Sequence, residues 1–572
     1  MPERPFPSRS LKTLIPAALL LAGCAATPSR WWKDVSPAPP AIEKAWERHH
    51  WYVVDVKYTF RARAALEGAP RGPHAYAHLH LLVKALTPEG ARIGALTIPA
   101  WNRDIHSMEV TLLDPEGRPV PVDQDRVRKA YERQGTVFVP RVAPGSMLAV
   151  HIVQGPYAAL DAWEHTMAGS APVWRSEFEF AHPMRMRYDY KAYNGLGPPE
   201  RAERRQSTVL TWKTGAIPAL PDLPFLDPAA ARPRLLIVGR DASAGGYPDW
   251  RAVAARKQRQ WLGRTARNRT AAARSLARDL TSRDTSDLAR SRALLAWVQD
   301  HIVRSDDNPV EQDPDEVLEA RRGNAWQVAD LLEEMASSIG INTDIVLTRA
   351  QEEGGFDPSL PNPHAAAQPL VVLEAGGRDW VAWPYSRAYG LGDYPPGYFG
   401  LEALSLRKGA VRPLPEPTHA IASLSEVHAV RLPDSTAPTR RVFLELDGPY
   451  ATLARSYWYD GAWTDTLAYC RAFLKAIGFP GLPRSCYETD LARRDLPLRL
   501  EVVPEEALSS VDSGRARQYF LPALLSNPAW FHDSSRTEAY HFPYEQTRRQ
   551  TMVFETGPGA RVELDAPCAE AD

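Results

Sequence analysis

Gly323-Asn324-Ala325-Trp326-Gln327-Val328-Ala329-Asp330-Leu331-Leu332-Glu333-Glu334-Met335-Ala336-Ser337-Ser338-Ile339-Gly340-Ile341 is the stretch on which the fold turns. Ala325, Val328, Leu332, Met335, Ala336 and Ile339 recur at spacings of three and four, which places them on one side of a helix. Gly340 stops that helix. Upstream, residues 249–302 read as helical with a break near 282–286. Downstream, strands are expected at 343–349, at 369–373 and around 380–383, with a loop over 351–362. A helical pair feeding a short sheet predicts a compact α+β domain, placed at 245–412.

On either side the pattern changes to β. Residues 52–60, 75–86 and 147–153 alternate or run apolar, punctuated by Asp114-Pro115-Glu116-Gly117 and Ala143-Pro144-Gly145. An N-terminal β-sandwich is expected over 46–240. Strands at 441–446, 498–503 and 551–554, with a helix at 464–477, predict a β-rich C-terminal domain over 415–572. A chain of 572 residues is too long for one core, so a multidomain, β-rich plus α+β protein of three folded parts follows. Its 44% hydrophobic and 24% charged residues exclude a largely disordered chain. A net charge of -1 gives no general attraction to nucleic acid. Fifty-two prolines suit loops and strand edges rather than a helical bundle.

The first residues read as an address. Arg4, Arg9 and Lys12 precede a short apolar run from Leu14 to Ala22, too short to span a bilayer, and Leu21-Ala22-Gly23-Cys24 follows. Those four residues resemble the bacterial lipobox. The resemblance implies a signal peptide over 1–23 and acylation of Cys24, which would hold the protein at a membrane. Ala25 and Ala26 stand where inner-membrane retention signals carry Asp, so the expected location is the outer membrane, facing the periplasm. Pro28, Pro37, Pro39 and Pro40 make residues 24–45 a stiff tether. Of the three cysteines after Cys24, Cys470 and Cys486 are close enough in sequence to pair in an oxidising compartment or to remain free, and Cys568 sits alone in a polar tail.

Residues 250–400 resemble the transglutaminase-like superfamily, which implies a papain-type cysteine protease-like fold and a Cys-His-Asp triad. The whole chain is similar in element order to bacterial envelope proteins that join a β-rich domain of unknown function to such a domain. Trp174-Arg175-Ser176-Glu177 resembles a recurring stretch of that first domain. The family's Gly-Asp-Cys-Lys-Asp corresponds to Gly323-Asn324-Ala325-Trp326-Gln327, so Ala325 takes the cysteine position. Counting nine residues back from Gly377 puts the histidine position at Gln368, and the family's Leu-Asp-Pro-Thr falls on Ala382-Trp383-Pro384-Tyr385, with Trp383 for the aspartate. A methyl group cannot attack a carbonyl, a carboxamide cannot serve as a base near neutral pH, and an indole accepts no hydrogen bond. No cysteine lies between Cys24 and Cys470, so no shift of the alignment restores a thiol. His364, four residues before Gln368, is the nearest displaced base, whereas Ser337 and Ser338 lie late in the helix.

The expected function is therefore binding, assembly or scaffolding at the outer membrane by an inactive member, without cofactor. The alternative is a hydrolase or acyltransferase with an unrecognised nucleophile. Trp326, Trp383 and His364 either line a groove for an envelope protein, peptide or glycan, or simply fill the vacated space. Nine basic residues and no acidic one between Arg251 and Arg278 make either an anion-seeking face or a solvated one balanced by Asp306, Asp307, Glu311, Asp313 and Asp315. His74, His78 and His80 share one strand face, a weak metal signal without partners, and no metal site is expected.

Overall fold

The structure is a computed structural model, and it describes residues 31–63, 74–98, 105–158, 161–167, 171–219, 232–241, 246–265, 270–305, 312–432, 439–461, 463–477, 479, 482–494, 496–505, 509–512, 517–520 and 545–556. The expected signal peptide over 1–23, Cys24, Asp306, Asp307, Glu311 and Cys568 lie outside the described residues. No described helix is long and apolar enough to cross a membrane.

An eight-stranded sheet opens the fold. Its order is Glu200–Arg204, Ser207–Thr214, Ser176–Pro183, Trp51–Arg63, His74–Ala85, Met147–Ala158, Ile105–Leu113, Pro119–Val120. Only the pairing of Trp51–Arg63 with Ser176–Pro183 is parallel within it. A register shift between Val53 and Asp55 turns the first strand over, so Tyr52 and Val54 face one side while Val56 and Phe60 face the other.

The sandwich expectation holds for half of this sheet. A three-stranded sheet, Tyr188–Tyr193, Arg234–Gly239 and Ala162–Thr166, covers Phe60, Phe178, Phe180 and Trp212 with Leu235 and Ile237. Over the other half lie the helix Gln124–Gln134 and the ribbon of Ala95–Thr97 with Thr136–Phe138. That helix was not anticipated, although its signals are local. Asp123 caps it, Gly135 ends it with φ of 67°, and Val127 and Tyr131 are its buried pair.

The tether expectation is corrected from Trp31 onward. Residues Trp31–Asp34 and Pro40–Trp46 are short helices packed on the back of the large sheet, against Tyr52, Val54, Leu82 and Ala149. Proline content suggested stiffness, but the three tryptophans at 31, 32 and 46 supply apolar area that is worth more buried than extended. Glu43 fastens the segment, accepting from the Tyr52 hydroxyl at 2.5 Å and from Lys84 Nζ at 2.8 Å. The Tyr52 hydroxyl in turn accepts from the Ala38 amide at 3.1 Å. Glu43→Ala strands both donors in a mostly buried place, so a loss of about 1–3 kcal/mol is expected. Limited proteolysis read by mass spectrometry should show faster cutting within 31–46, and unchanged cutting would count against this attachment.

The α+β unit is built as its periodicity predicts. Helices Trp250–Thr265, Ala271–Thr281, Asp287–His301, Pro314–Ala320 and Ala325–Ser338 precede or flank a five-stranded antiparallel sheet. The sheet order is Arg378–Ala382, Gln368–Ala375, Asn342–Thr348, Glu402–Ser405, Val411–Pro413. Leu331, Leu332, Met335 and Ala336 of the deciding helix pack on Ile345, Leu347, Val371 and Leu373. The opposite sheet face carries a second core of Val346, Leu370, Val372, Val381, Trp383, Tyr394 and Tyr398. In the basic stretch, one charge finds a partner beyond those expected. Arg274 pairs with Glu334 at 2.5 Å, while Asp313 caps its own helix and Asp315 accepts the amides of Ala272 and Ala273.

The last sheet runs Pro483–Thr489, Leu498–Pro504, Thr439–Asp447, Ala422–Leu432, Gln546–Thr556, its final pair parallel. Thr466–Ala476 and an unanticipated helix, Pro449–Asp460, cover one face. Cys470 and Cys486 are joined by a disulfide between helix and sheet.

Candidate functional site

The helix Ala325–Ser338 begins at a reciprocal cap. Asn324 Oδ1 accepts from the Gln327 amide at 3.1 Å, and Gln327 Oε1 accepts from the Asn324 amide at 2.8 Å. Ala325 is therefore the first helical residue, the position where a thiolate would feel the helix dipole. Its side chain is a buried methyl.

Gln368 starts the strand Gln368–Ala375 opposite Thr348, on the face of Leu370 and Val372, and its amide donates to the Pro369 carbonyl at 3.1 Å. Trp383 follows the strand Arg378–Ala382 and is buried among Tyr385, Tyr389 and Tyr398. Its carbonyl accepts from Gln299 Nε2 at 2.8 Å, and that amide also reaches the Tyr389 carbonyl at 2.9 Å. Trp383 is thus fixed in the core on the sheet face away from the helices.

The expected groove of Trp326, Trp383 and His364 does not assemble. Trp326 is half-buried against the helical core, Trp383 belongs to the other core, and no ring contact joins them among the described residues. His364 points elsewhere, to Asp161 of the first unit at 3.0 Å. Alternation along the strands explains the separation: Ala382 faces the helices, so its neighbour Trp383 cannot. Within the histidine stretch, His78 and His80 find ring partners, while the His74 side chain lies outside what is described. His78 and His80 lie near His151, with Trp31 edge-on to His80, and burial and the neighbouring imidazoles push His80 down to about 4. No group of three metal-ligating side chains suits a metal among the described residues.

Sequence reasoning missed Tyr385. Its hydroxyl lies 3.0 Å from the Ala325 carbonyl and 2.7 Å from the Pro369 carbonyl, bridging the helix start and the strand start. Arg304 lies over its ring at 5.3 Å. A signal was present, since Tyr385 is the last residue of the segment aligned with Leu-Asp-Pro-Thr. Tyr385→Phe removes the hydroxyl that links the two starts, while the Pro369 carbonyl keeps the Gln368 side-chain amide as a donor. A loss of about 0.5–1.5 kcal/mol in urea unfolding is expected, and a change within error would mean that the bridge adds nothing to stability.

Residues 274–384 match the model of the transglutaminase-like superfamily. A crystal structure of a candidate protease from Parabacteroides distasonis is similar at a TM-score of 0.50 and 16% identity, over 68% of this chain and 76% of that one. At that identity the likeness speaks to fold alone. A candidate cysteine protease from Cytophaga hutchinsonii, 10% identical, overlaps 39% of this chain and 70% of its own at a TM-score of 0.19, too low to argue from. No curated protein matches the chain. The α+β unit therefore contains a transglutaminase-like, papain-like domain spanning 274–384.

Proposed function

We propose that this chain is a lipid-anchored envelope protein whose transglutaminase-like domain binds or organises a partner instead of catalysing. One observation carries the reading: the helix start that would hold a nucleophile presents the Ala325 methyl, and Tyr385 ties that turn to Pro369. A carboxamide at 368 and an indole at 383 supply neither base nor orienting acid. The anchor at Cys24, the outer-membrane location and a peptide or glycan partner belong to the same proposal.

A second reading, a peptidase or acyltransferase with another nucleophile, draws on the structural neighbour described as a candidate protease. The hydroxyls in the deciding helix do not favour it. Ser337 and Ser338 donate to the carbonyls of Glu334 and Met335 at its C-terminal end, far from Ala325. Purified protein assayed with peptide, glutamine-donor and activated-ester substrates should give no turnover above buffer. Turnover that disappears in His364→Ala or Tyr385→Phe would overturn the inactive reading. Acyl labelling of the full chain, lost in Cys24→Ala, tests the anchor separately.

A further inference from the structure

A recess away from the triad positions lies where the three-stranded sheet of the first unit meets the loop after strand Asn342–Thr348. It measures about 240 Å³ with its open mouth and has room inside for about one water-sized atom. Glu164 stands in its wall, accepting from Arg234 Nη1 at 2.8 Å and from Arg349 Nη1 at 2.5 Å. Asp357 closes another side, accepting from Lys191 Nζ and the Tyr193 hydroxyl, each at 2.5 Å. The Arg234 guanidinium lies over the Tyr193 ring, 4.1 Å from its centre.

Two imbalances remain. Among the described residues, Lys191, Arg234 and Arg349 pair with Glu164 and Asp357, three cations to two carboxylates, so this described cluster keeps one positive charge. The carboxylates are both committed, yet Arg234 Nε is buried with no partner among the described residues. Water could satisfy a donor but would leave the charge uncompensated in a half-buried place. The walls are also built close. Gly354, at φ of 109°, lies so near that a Cβ would stand 2.9 Å from Arg234 Nη1, and buried Asn362 completes the lining. Arg349 immediately follows Thr348, the register partner of Gln368, so the recess opens beside the strand ends of the transglutaminase-like sheet.

We propose that this recess holds one small monovalent anion, the chemistry shared by chloride and a carboxylate group. The anion takes the donors that Glu164 and Asp357 leave over and neutralises the cluster. It thereby joins the first unit to the α+β unit, and a peptide carboxylate entering there is held next to the strand ends.

The test uses the full chain, melted at fixed ionic strength while sodium gluconate is exchanged for chloride. A saturating rise in Tm of roughly 2–4 °C is expected, and it should vanish in Arg349→Met. Acetate or a short peptide with a free C-terminus reproducing the rise, with the amidated peptide inert, assigns the site to carboxylates; a response to chloride alone assigns it to halide. No response to any of these, or the same response in Arg349→Met, overturns the proposal. Because that variant could fold poorly, crystals of the unaltered chain soaked in bromide give an independent reading. An anomalous peak within about 3.5 Å of the Arg234 and Arg349 guanidinium groups supports the site, and its absence overturns it. None of these readings depends on whether the domain catalyses.

Discussion

Glu426→Ala should cost about 3–5 kcal/mol, the penalty for removing one partner of a buried ion pair. Glu426 is fully buried on strand Ala422–Leu432. Its Oε1 accepts from Arg548 Nε at 2.7 Å, and its Oε2 from Gln550 Nε2 at 2.6 Å and from His428. Arg440 Nη2 reaches His428 Nδ1 at 2.9 Å; because a guanidinium only donates, Nδ1 accepts and Nε2 carries the proton given to Glu426. Arg548 and Gln550 belong to Gln546–Thr556, the strand that adds in parallel to the edge of the sheet. The carboxylate is therefore the point that holds that strand's inner side chains.

Burial alone would raise the Glu426 carboxyl, but the hydrogen bond from His428, the Arg548 charge and Gln550 hold it below its ordinary value of 4.5. A depressed folded value means the ionised form stabilises the fold at neutral pH. That contribution is present above about pH 4.5 and is lost as pH falls through the folded value. Urea unfolding from pH 7 to pH 3 should show this decline in the unaltered chain and a flatter profile in Glu426→Gln. A loss below about 1 kcal/mol at pH 7 in Glu426→Ala would mean that the network is solvated or reorganises freely.

The sequence made such networks hard to foresee. Glu426, His428, Arg548 and Gln550 look like solvated strand residues, because alternation alone cannot say which face is covered. Long periodic elements were legible: the deciding helix was expected from Ala325, Val328, Leu332, Met335, Ala336 and Ile339, of which the first five are buried while Ile339 is a partly buried C-cap. Short amphipathic helices were not. Gln124–Gln134 buries only Val127 and Tyr131 within a highly charged stretch, too few apolar positions to stand out from a loop. The segment after Trp31 was misread for the opposite reason, since its prolines outweighed three tryptophans whose burial depends on a sheet formed by later residues.

At the candidate site, the residue types at 325, 368 and 383 were readable, but their facing was not. Placing Trp383 beside Trp326 assumed that two aromatic residues near one aligned motif share a cleft. Strand parity sends them to different cores, and the chain instead places Tyr385 at the junction. The charged recess lay further out of reach, because Glu164, Arg234, Arg349 and Asp357 come from both sides of a contact between two units.

The disulfide carries the other large expected effect. Cys470 lies on helix Thr466–Ala476 and Cys486 on strand Pro483–Thr489, both buried, at a sequence separation of 16. Closing a loop of that size restricts the unfolded chain enough to contribute about 3 kcal/mol. Replacing both by alanine adds a packing loss, because Cys470 also touches the core of Phe473, Leu474 and Leu500. Reducing the unaltered chain separates the two effects: the thiols remain as packing groups while the crosslink is gone. Unfolding in the presence and absence of dithiothreitol should therefore differ by about 3 kcal/mol, with the double alanine variant lower still and indifferent to reductant. Equal stability of the oxidised and reduced chains would remove the crosslink from the account. If the difference is found, chain made in a reducing cytosol should lack this part of its stability.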